Sequence, residues 1–256
     1  MQRMIAGAVV AAMTVLVAAT PAQAQAADPL QALKAKLGAG KGVKFTDVTS
    51  LLQDSEKTTF LRRTGKAQFG KSGIVASDIS ADVRSHTGGI FDYMQNVTSG
   101  RTIWMGKKSY STAPFFSAVP EGKKWVREPI ATTGGWTGTY SQLVNPAEPA
   151  TLKVLLKGKK QGRSYSGKLT YAALEKVSPW FRASLPLGRG DKTVLEYELT
   201  LGPDNLPRRL VTAHLAASHV AENVAVGDGK ISTETRYTGW GAKVRISAPP
   251  KGQTAG

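Results

Sequence analysis

Hydrophobic residues recur along this chain with a period that changes from one stretch to the next, and each period predicts an element. After Asp28-Pro29, Leu30, Leu33 and Leu37 fall on one helical face before Gly38 and Gly40. Aspartate followed by proline is a helix start signal, and glycine just past the last apolar residue is a stop signal. A short amphipathic helix therefore opens the domain. From residue 43 the period drops to two, with Val43, Phe45 and Asp47 alternating with Lys44, Thr46 and Val48. Residues 58–64 and 74–79, divided by Gly70-Lys71-Ser72-Gly73, continue the pattern and predict antiparallel strands joined by tight turns. Residues 101–105 and 107–111 read as a hairpin across Gly106, and Lys124-Trp125-Val126 as a short strand after Pro120-Glu121-Gly122.

The middle of the chain turns helical. Leu152, Leu155 and Leu156 share a face, with Asn145 expected to cap and Glu148 three residues on. A strand over 164–169 leads into an amphipathic helix over 171–177, and Pro179 interrupts it before Trp180-Phe181. Further on, Leu195, Tyr197, Leu199 and Leu201 alternate with Glu196, Glu198 and Thr200, and Gly202-Pro203-Asp204-Asn205 supplies a turn. Residues 206–215 return, and Ile231, Thr233, Thr235 and Tyr237 make a last strand ending near Trp240-Gly241. The expected fold class is α+β, one large antiparallel sheet with a few helices to cover it.

Residues 1–26 add a compartment. Arg3 precedes an apolar run over 4–19 and the small-residue pattern Ala22-Gln23-Ala24-Gln25-Ala26. That is the pattern of a secretory signal peptide cleaved after Ala24 or Ala26, and the run is short for a bilayer span of about 20 residues. The expected organisation is a signal peptide over 1–26, one domain over 27–250 and a flexible Gly/Pro-rich tail over 251–256. The sequence has no cysteine, hence no disulfide framework and no thiol for a lipid anchor. The protein is expected to be secreted or extracytoplasmic, in the cell envelope, and not lipid-anchored. Its formal charge of +16 favours polyanionic partners. For an exported protein these are an anionic membrane surface or a cell-wall polymer, and not nucleic acid. The cations come as pairs such as Arg62-Arg63 and Arg208-Arg209, and the densest run, 157–163, reads as a solvated loop.

Catalytic chemistry is not expected. His214 and His219 are five apart in a strand-like stretch, on opposite faces, and with His86 they offer no metal-ligand spacing. Gly162-Arg163-Ser164-Tyr165-Ser166-Gly167 is not a nucleophile elbow. Gly134-Gly135 precedes Trp136 and not the Lys-Ser/Thr pair of a phosphate loop. Asn96-Val97-Thr98 matches a glycosylation sequon, a weak three-residue pattern. The chain is read as a non-enzyme without cofactor or metal.

The segment Arg236-Tyr237-Thr238-Gly239-Trp240-Gly241-Ala242-Lys243-Val244, running on to Pro249-Pro250, resembles the closing segment of the actinobacterial LprG/LppX lipoproteins. Residues 201–209 are similar to that family's penultimate hairpin, 149–156 to its mid-chain helix, and 103–126 to its central strands. The order of elements matches from Asp28 to Pro250. The resemblance implies the LolA/LolB-like fold, a strongly curved antiparallel sheet or unclosed β-barrel with helices covering its concave face. It also implies an apolar cavity between sheet and helices for acyl chains, in proteins that bind lipids, lipoglycans or acylated proteins. This chain departs from the LprG/LppX pattern in lacking the lipobox cysteine, so tethering does not carry over.

A sheet covered by few helices hides one apolar face, and incomplete cover leaves a pocket suited to alkyl chains. Phe60, Phe69, Trp104, Phe115, Phe116, Leu174, Trp180 and Phe181 are the candidates to line it. Lys107, Lys108, Lys123 and Lys124 are expected to form a rim for anionic headgroups. The expected function is a secreted lipid- or lipoprotein-binding carrier. The alternative is a secreted non-enzymatic protein that binds anionic wall polymer or membrane through its basic face.

Overall fold

The computed structural model describes residues 28–256 apart from 89, 95, 115, 186–191 and 220–227. The expected signal peptide lies outside the described residues. Helix α1 (Pro29–Lys36) starts as predicted, with the Asp28 carboxylate accepting from the Gln31 backbone N–H at 3.3 Å and Leu33 buried. Strands β1 (Lys41–Gln53), β2 (Glu56–Phe69) and β3 (Ile74–Val83) form a meander. A connection holding the one-turn helix α2 (Ile90–Tyr93) leads to β4 (Gly100–Met105), β5 (Lys108–Ser111) and β6 (Trp125–Arg127). Helices α3 (Gly135–Thr139) and α4 (Pro149–Leu155) come next, then the hairpin of β7 (Lys159–Gln161) and β8 (Ser164–Thr170). Helices α5 (Tyr171–Val177) and α6 (Pro179–Ser184) precede β9 (Val194–Leu201), β10 (Pro207–Leu215), β11 (Lys230–Lys243) and the short β12 (Thr254–Ala255).

All the strands join one sheet in the order β12-β6-β5-β4-β3-β2-β1-β11-β10-β9-β8-β7. Every pairing is antiparallel except β12 with β6. The sheet is curved and does not close, since β12 and β7 are its two edges. The long central strand β1 carries register shifts at Gly42/Lys44 and Thr49/Ser50, and such bulges bend a strand and increase its twist. The second shift explains why strict alternation is not visible past Val48: Thr49, Ser50 and Leu51 are buried in succession. Gly65 serves the same face, because a Cβ there would lie 2.5 Å from the ring of Phe45.

Helices α1, α4, α5 and α6 cover the inner face. Their buried Leu33, Leu152, Leu155, Tyr171, Leu174, Trp180 and Phe181 pack into one cluster with Val43, Phe45, Phe69, Leu199 and Tyr237 of the sheet. A second apolar cluster lies toward the other end, built from Leu51, Phe60, Leu61, Ile90, Met94, Val97 and Ile231. Between them runs a buried polar belt. Asp47 faces Arg63 on one side and Thr235 on the other, and Thr49 faces Thr233, which faces Thr212. Arg63 donates to Asp47 from Nε at 3.1 Å and from Nη2 at 2.8 Å, with both side chains at most 1% exposed. Thr49 and Thr233 share a hydroxyl hydrogen bond at 3.1 Å. At the edge of the belt, burial holds the His214 imidazole down to a pKa of about 4, so it is neutral at pH 7.

Several expectations need correction. Asn145 does not cap α4; its Oδ1 accepts from the Ala147 N–H, and Glu148 takes the cap position because Pro149 fixes the first turn. The basic run 157–163 is not a loop, since Lys159–Gln161 pairs with β8 as an exposed edge strand. Strand β10 ends at Leu215 and His219 lies in the 3-10 turn Ala216–His219, so the two histidines are not opposite faces of one strand. The segment after β11 crosses the outer face of the sheet, and the residues 251–256 expected to be flexible end it as a short paired strand. Val244 and Ile246 pack with Ala76, Ile103 and Trp125, and Thr254 and Ala255 pair with Trp125 and Val126. Gly42 lets this strap pass, since a Cβ there would lie 2.7 Å from Val244. Val244 and Ile246, two apart and so on one side of the strap, find an apolar patch on the outer face.

Asp47→Ala leaves the Arg63 guanidinium buried and unpaired, and unfolding in urea should show a loss of about 3–5 kcal/mol. Replacing the pair together, as Asp47→Leu with Arg63→Met, should restore most of that loss. A double variant as unstable as the single one would mean that the pair is not the source of the cost.

Candidate functional site

Helices α5 and α6 are defined by their own caps. Thr170 accepts from the Ala173 N–H at 3.1 Å to start α5, and Ser178 accepts from the Phe181 N–H at 2.9 Å to start α6. Tyr171 and Leu174, three apart, face the sheet. The Trp180 ring meets Phe45 edge-on at 6.4 Å and its Nε1 donates to the Gln142 carbonyl at 2.7 Å, while Tyr171 stands edge-on to Phe181 at 5.1 Å. Glu148 ties these helices to α4. Its carboxylate accepts from Thr151 Oγ1 at 2.8 Å, from the Trp180 N–H at 2.7 Å and from Ser178 Oγ. Burial pushes the Glu148 carboxyl up from its ordinary value, and these donors only partly offset it.

The expected lining residues separate into four groups. Phe69, Leu174 and Trp180 are at most 1% exposed and Phe181 is 5% exposed, all in the main cluster. Among the described residues they pack as core, with Phe45 edge-on to Trp180 and Trp240 stacked on Phe69. Trp104 is buried on β4, and its Nε1 finds no partner among the described residues. Phe116 is 53% exposed on the β5–β6 connection, and Phe115 lies outside the described residues. Phe60 lines a cleft among the described residues.

That cleft has a volume of about 250 Å³ and lies between β2 and the β3–β4 connection. Phe60, Val83, Phe91, Met94 and Val97 form its apolar walls, and Arg84, His86 and Asp92 stand among its polar residues. Phe60 and Phe91 meet edge-on at 5.5 Å, and the His86 ring lies 4.9 Å from Phe91. His86 Nε2 is 3.2 Å from the Thr59 carbonyl, a distance that sets it as the N–H donor. The Asp92 carboxylate accepts from the Gly88 N–H at 2.9 Å and fixes the loop before α2. Sequence reasoning missed this wall. Its signal was the spacing of Ile90, Met94 and Val97, at i, i+4 and i+7, which is one helical face.

The four lysines do not make one rim. Strands β5 and β6 run antiparallel, with Tyr110 opposite Arg127 and Ser111 opposite Val126. Lys107 and Lys108 at the start of β5 are therefore at the opposite end of the pair from Lys123 and Lys124 before β6. Lys123 Nζ donates to the Gly252 carbonyl at 3.0 Å and so holds the C-terminal strap. Among the described residues no group of acidic or imidazole side chains is placed to hold a metal ion, and no helix is long and apolar enough to cross a membrane.

No family profile and no curated protein matches the sequence. Among solved structures, the chain is similar to a LolA superfamily protein of Nitrosomonas europaea at 10% identity, over 82% of this chain and 90% of that one, with a TM-score of 0.30. It is also similar to a porin-like protein of Bacteroides uniformis at 8% identity, over 79% of this chain and 98% of the other, with a TM-score of 0.25.

Glu148 has a testable pH signature. Its folded pKa is raised above the ordinary 4.5, so the folded state holds this proton more tightly than the unfolded chain. On this group alone, stability is fully present below 4.5 and declines as pH rises through the window above it. Urea unfolding of wild type and Glu148→Gln across that window should show a difference that changes with pH. A constant difference would mean that Glu148 titrates as it does in the unfolded chain.

Proposed function

We propose that this protein carries a single acyl chain of a lipid, lipoglycan or acylated protein outside the cytoplasm, and that the chain is held in the cleft between Phe60 and residues 84–97. The observation that carries this reading is an open apolar cleft at one end of a curved sheet whose other inner compartment is filled. Phe60, Met94 and Val97 belong to the second apolar cluster, so the cleft is a surface extension of that core. Its wall is a short helical turn on a long connection. Met94 adds an adaptable side chain that refits around ligands of different shape. At about 250 Å³ the cleft lies just below the usual range of about 300–1,000 Å³ for ligand pockets. One chain, or part of one, is the matching cargo.

The buried belt limits how deep the chain goes. Beyond Leu51 and Leu61 lie Thr49, Asp47 and Arg63, whose polar groups already bind one another. An acyl chain pushed into them would break those bonds without replacing them, at a cost of about 1–3 kcal/mol for each group left unpaired. Carriage requires no bond chemistry, in line with the lack of a catalytic motif.

Each buried methylene is worth about 0.8 kcal/mol, close to a fourfold gain in affinity. Calorimetric titration with saturated fatty acids should therefore show affinity rising with chain length and then levelling off as the cleft fills. Val97→Trp should abolish the rise, and Phe116→Ala should leave it unchanged. Flat affinity across chain lengths would defeat the carrier reading.

Export is tested separately. Intact mass of the protein recovered outside the cell should place its start at residue 25 or 27, with no added lipid. A mass that includes residues 1–24, or one increased by a diacylglycerol, would contradict it.

A further inference from the structure

The ends of the sheet differ in charge. One end gathers the start of β1, the end of β11 and four turns. Lys41 pairs with Lys243 there, Phe69 with Ile74, Met105 with Lys108, Gln161 with Ser164 and Leu201 with Pro207. Lys41, Lys71, Lys107, Lys108, Arg163 and Lys243 are all exposed at this end. Among the described residues of these turns the carboxylate is Asp204, and Arg208 pairs with it at 2.9 Å. At the opposite end Lys57, Arg84 and Lys230 are interleaved with Asp54, Glu56, Asp82, Asp92 and Asp228. Lys123 and Lys124 there share their connection with Glu121. Among the described residues, that end carries charges of both signs.

The basic end also carries apolar surface. Leu37, Ile74 and Trp240 are partly buried against the main core, and Val75 is 46% exposed. The Trp240 ring stacks on Phe69 at 6.2 Å and 23°, and its Nε1 donates to the Pro207 carbonyl at 2.9 Å. It is therefore held in place at the end of the sheet.

We infer that this end docks on an anionic lipid surface. The cations stand on the tips of separate turns along one edge, with neighbouring strands about 4.8 Å apart. Turn tips at one end of a sheet reach a flat surface together, whereas an extended polymer is gripped by cations that line a groove. A tryptophan and small aliphatic residues among lysines match the boundary between headgroups and acyl chains, where amphipathic rings settle. The inference is independent of the acyl-binding cleft. The cleft opens beside Val83 and residues 84–97, at the far end, so docking leaves its mouth free.

Co-sedimentation with phosphatidylcholine vesicles containing phosphatidylglycerol, at low salt, tests this assignment. Lys71→Glu with Lys107→Glu should weaken vesicle binding tenfold or more, while Lys57→Glu with Lys124→Glu, the same change in net charge, should alter it less than about twofold. Raising the salt until the Debye length falls from about 10 Å to about 3 Å should release the wild-type protein. Equal losses in the two double variants would overturn the assignment of a face. Binding to soluble inorganic polyphosphate with none to the vesicles would replace the lipid surface with a polymer.

Discussion

The Asp47–Arg63 pair is the constraint around which the interior is arranged. A strongly bent sheet turns a long inner face toward a small volume, and an uninterrupted apolar face there would admit many packings. The pair instead places two charges on adjacent central strands, each satisfied by the other at 2.8 Å and sealed from water. Desolvating them costs several kcal/mol for each ion, so such a pair adds little net stability. Its effect is on register. A slip of β1 against β2 by one residue would put the two charges on opposite faces of the sheet and leave the inward one buried without its partner. With the threonines beside it, the pair also divides the interior into two apolar compartments that differ in fate.

One compartment is closed. Trp180, Tyr171 and Phe181 fill it, and Glu148 binds α4 to the junction of α5 and α6 through three donors. The other is covered by the single turn α2 and its connection together with Trp136 and Tyr140 at α3, and among the described residues it opens as a cleft beside Phe60 and Phe91. The same sheet thus carries two halves that are covered differently. Hydrogen bonding decides which is which: the covering helices of the first are capped and clasped, and the wall of the second rests on short loop contacts such as Gly88 to Asp92.

Much of this architecture is legible in the sequence because it is local. Alternation over Leu195 to Leu201, the turn at Gly202-Pro203-Asp204-Asn205 and the cap at Asp28 each declare their element within a few residues. What is not legible depends on partners far away. Asp47 sits on the apolar side of its strand, and only the pairing of β1 with β2 shows that Arg63 neutralises it. The aromatic residues divide in the same way. Trp180 and Phe60 are both apolar and near the ends of helices or strands, yet one is enclosed by Phe45 and the other borders a cleft. Residues 251–256 read as a flexible tail because their strand partners, Trp125 and Val126, lie far away in the sequence.

The charge pattern shows the same limit and a way past it. Along the chain the cations are spread almost evenly, and no window of sequence stands out as a binding surface. A meander reverses direction at every turn, so alternate turns fall at opposite ends of the sheet. Lys71 and Lys107 belong to turns separated by one connection, and they come to one end for that reason; Arg84, in the connection between them, goes to the other. Strand parity therefore sorts charges that composition can only count. The carboxylates follow the opposite parity: Asp54, Glu56, Asp82 and Asp92 all precede or occupy turns at the far end. A protein of even charge density along its sequence becomes one with a basic end and an end of mixed charge, through topology alone.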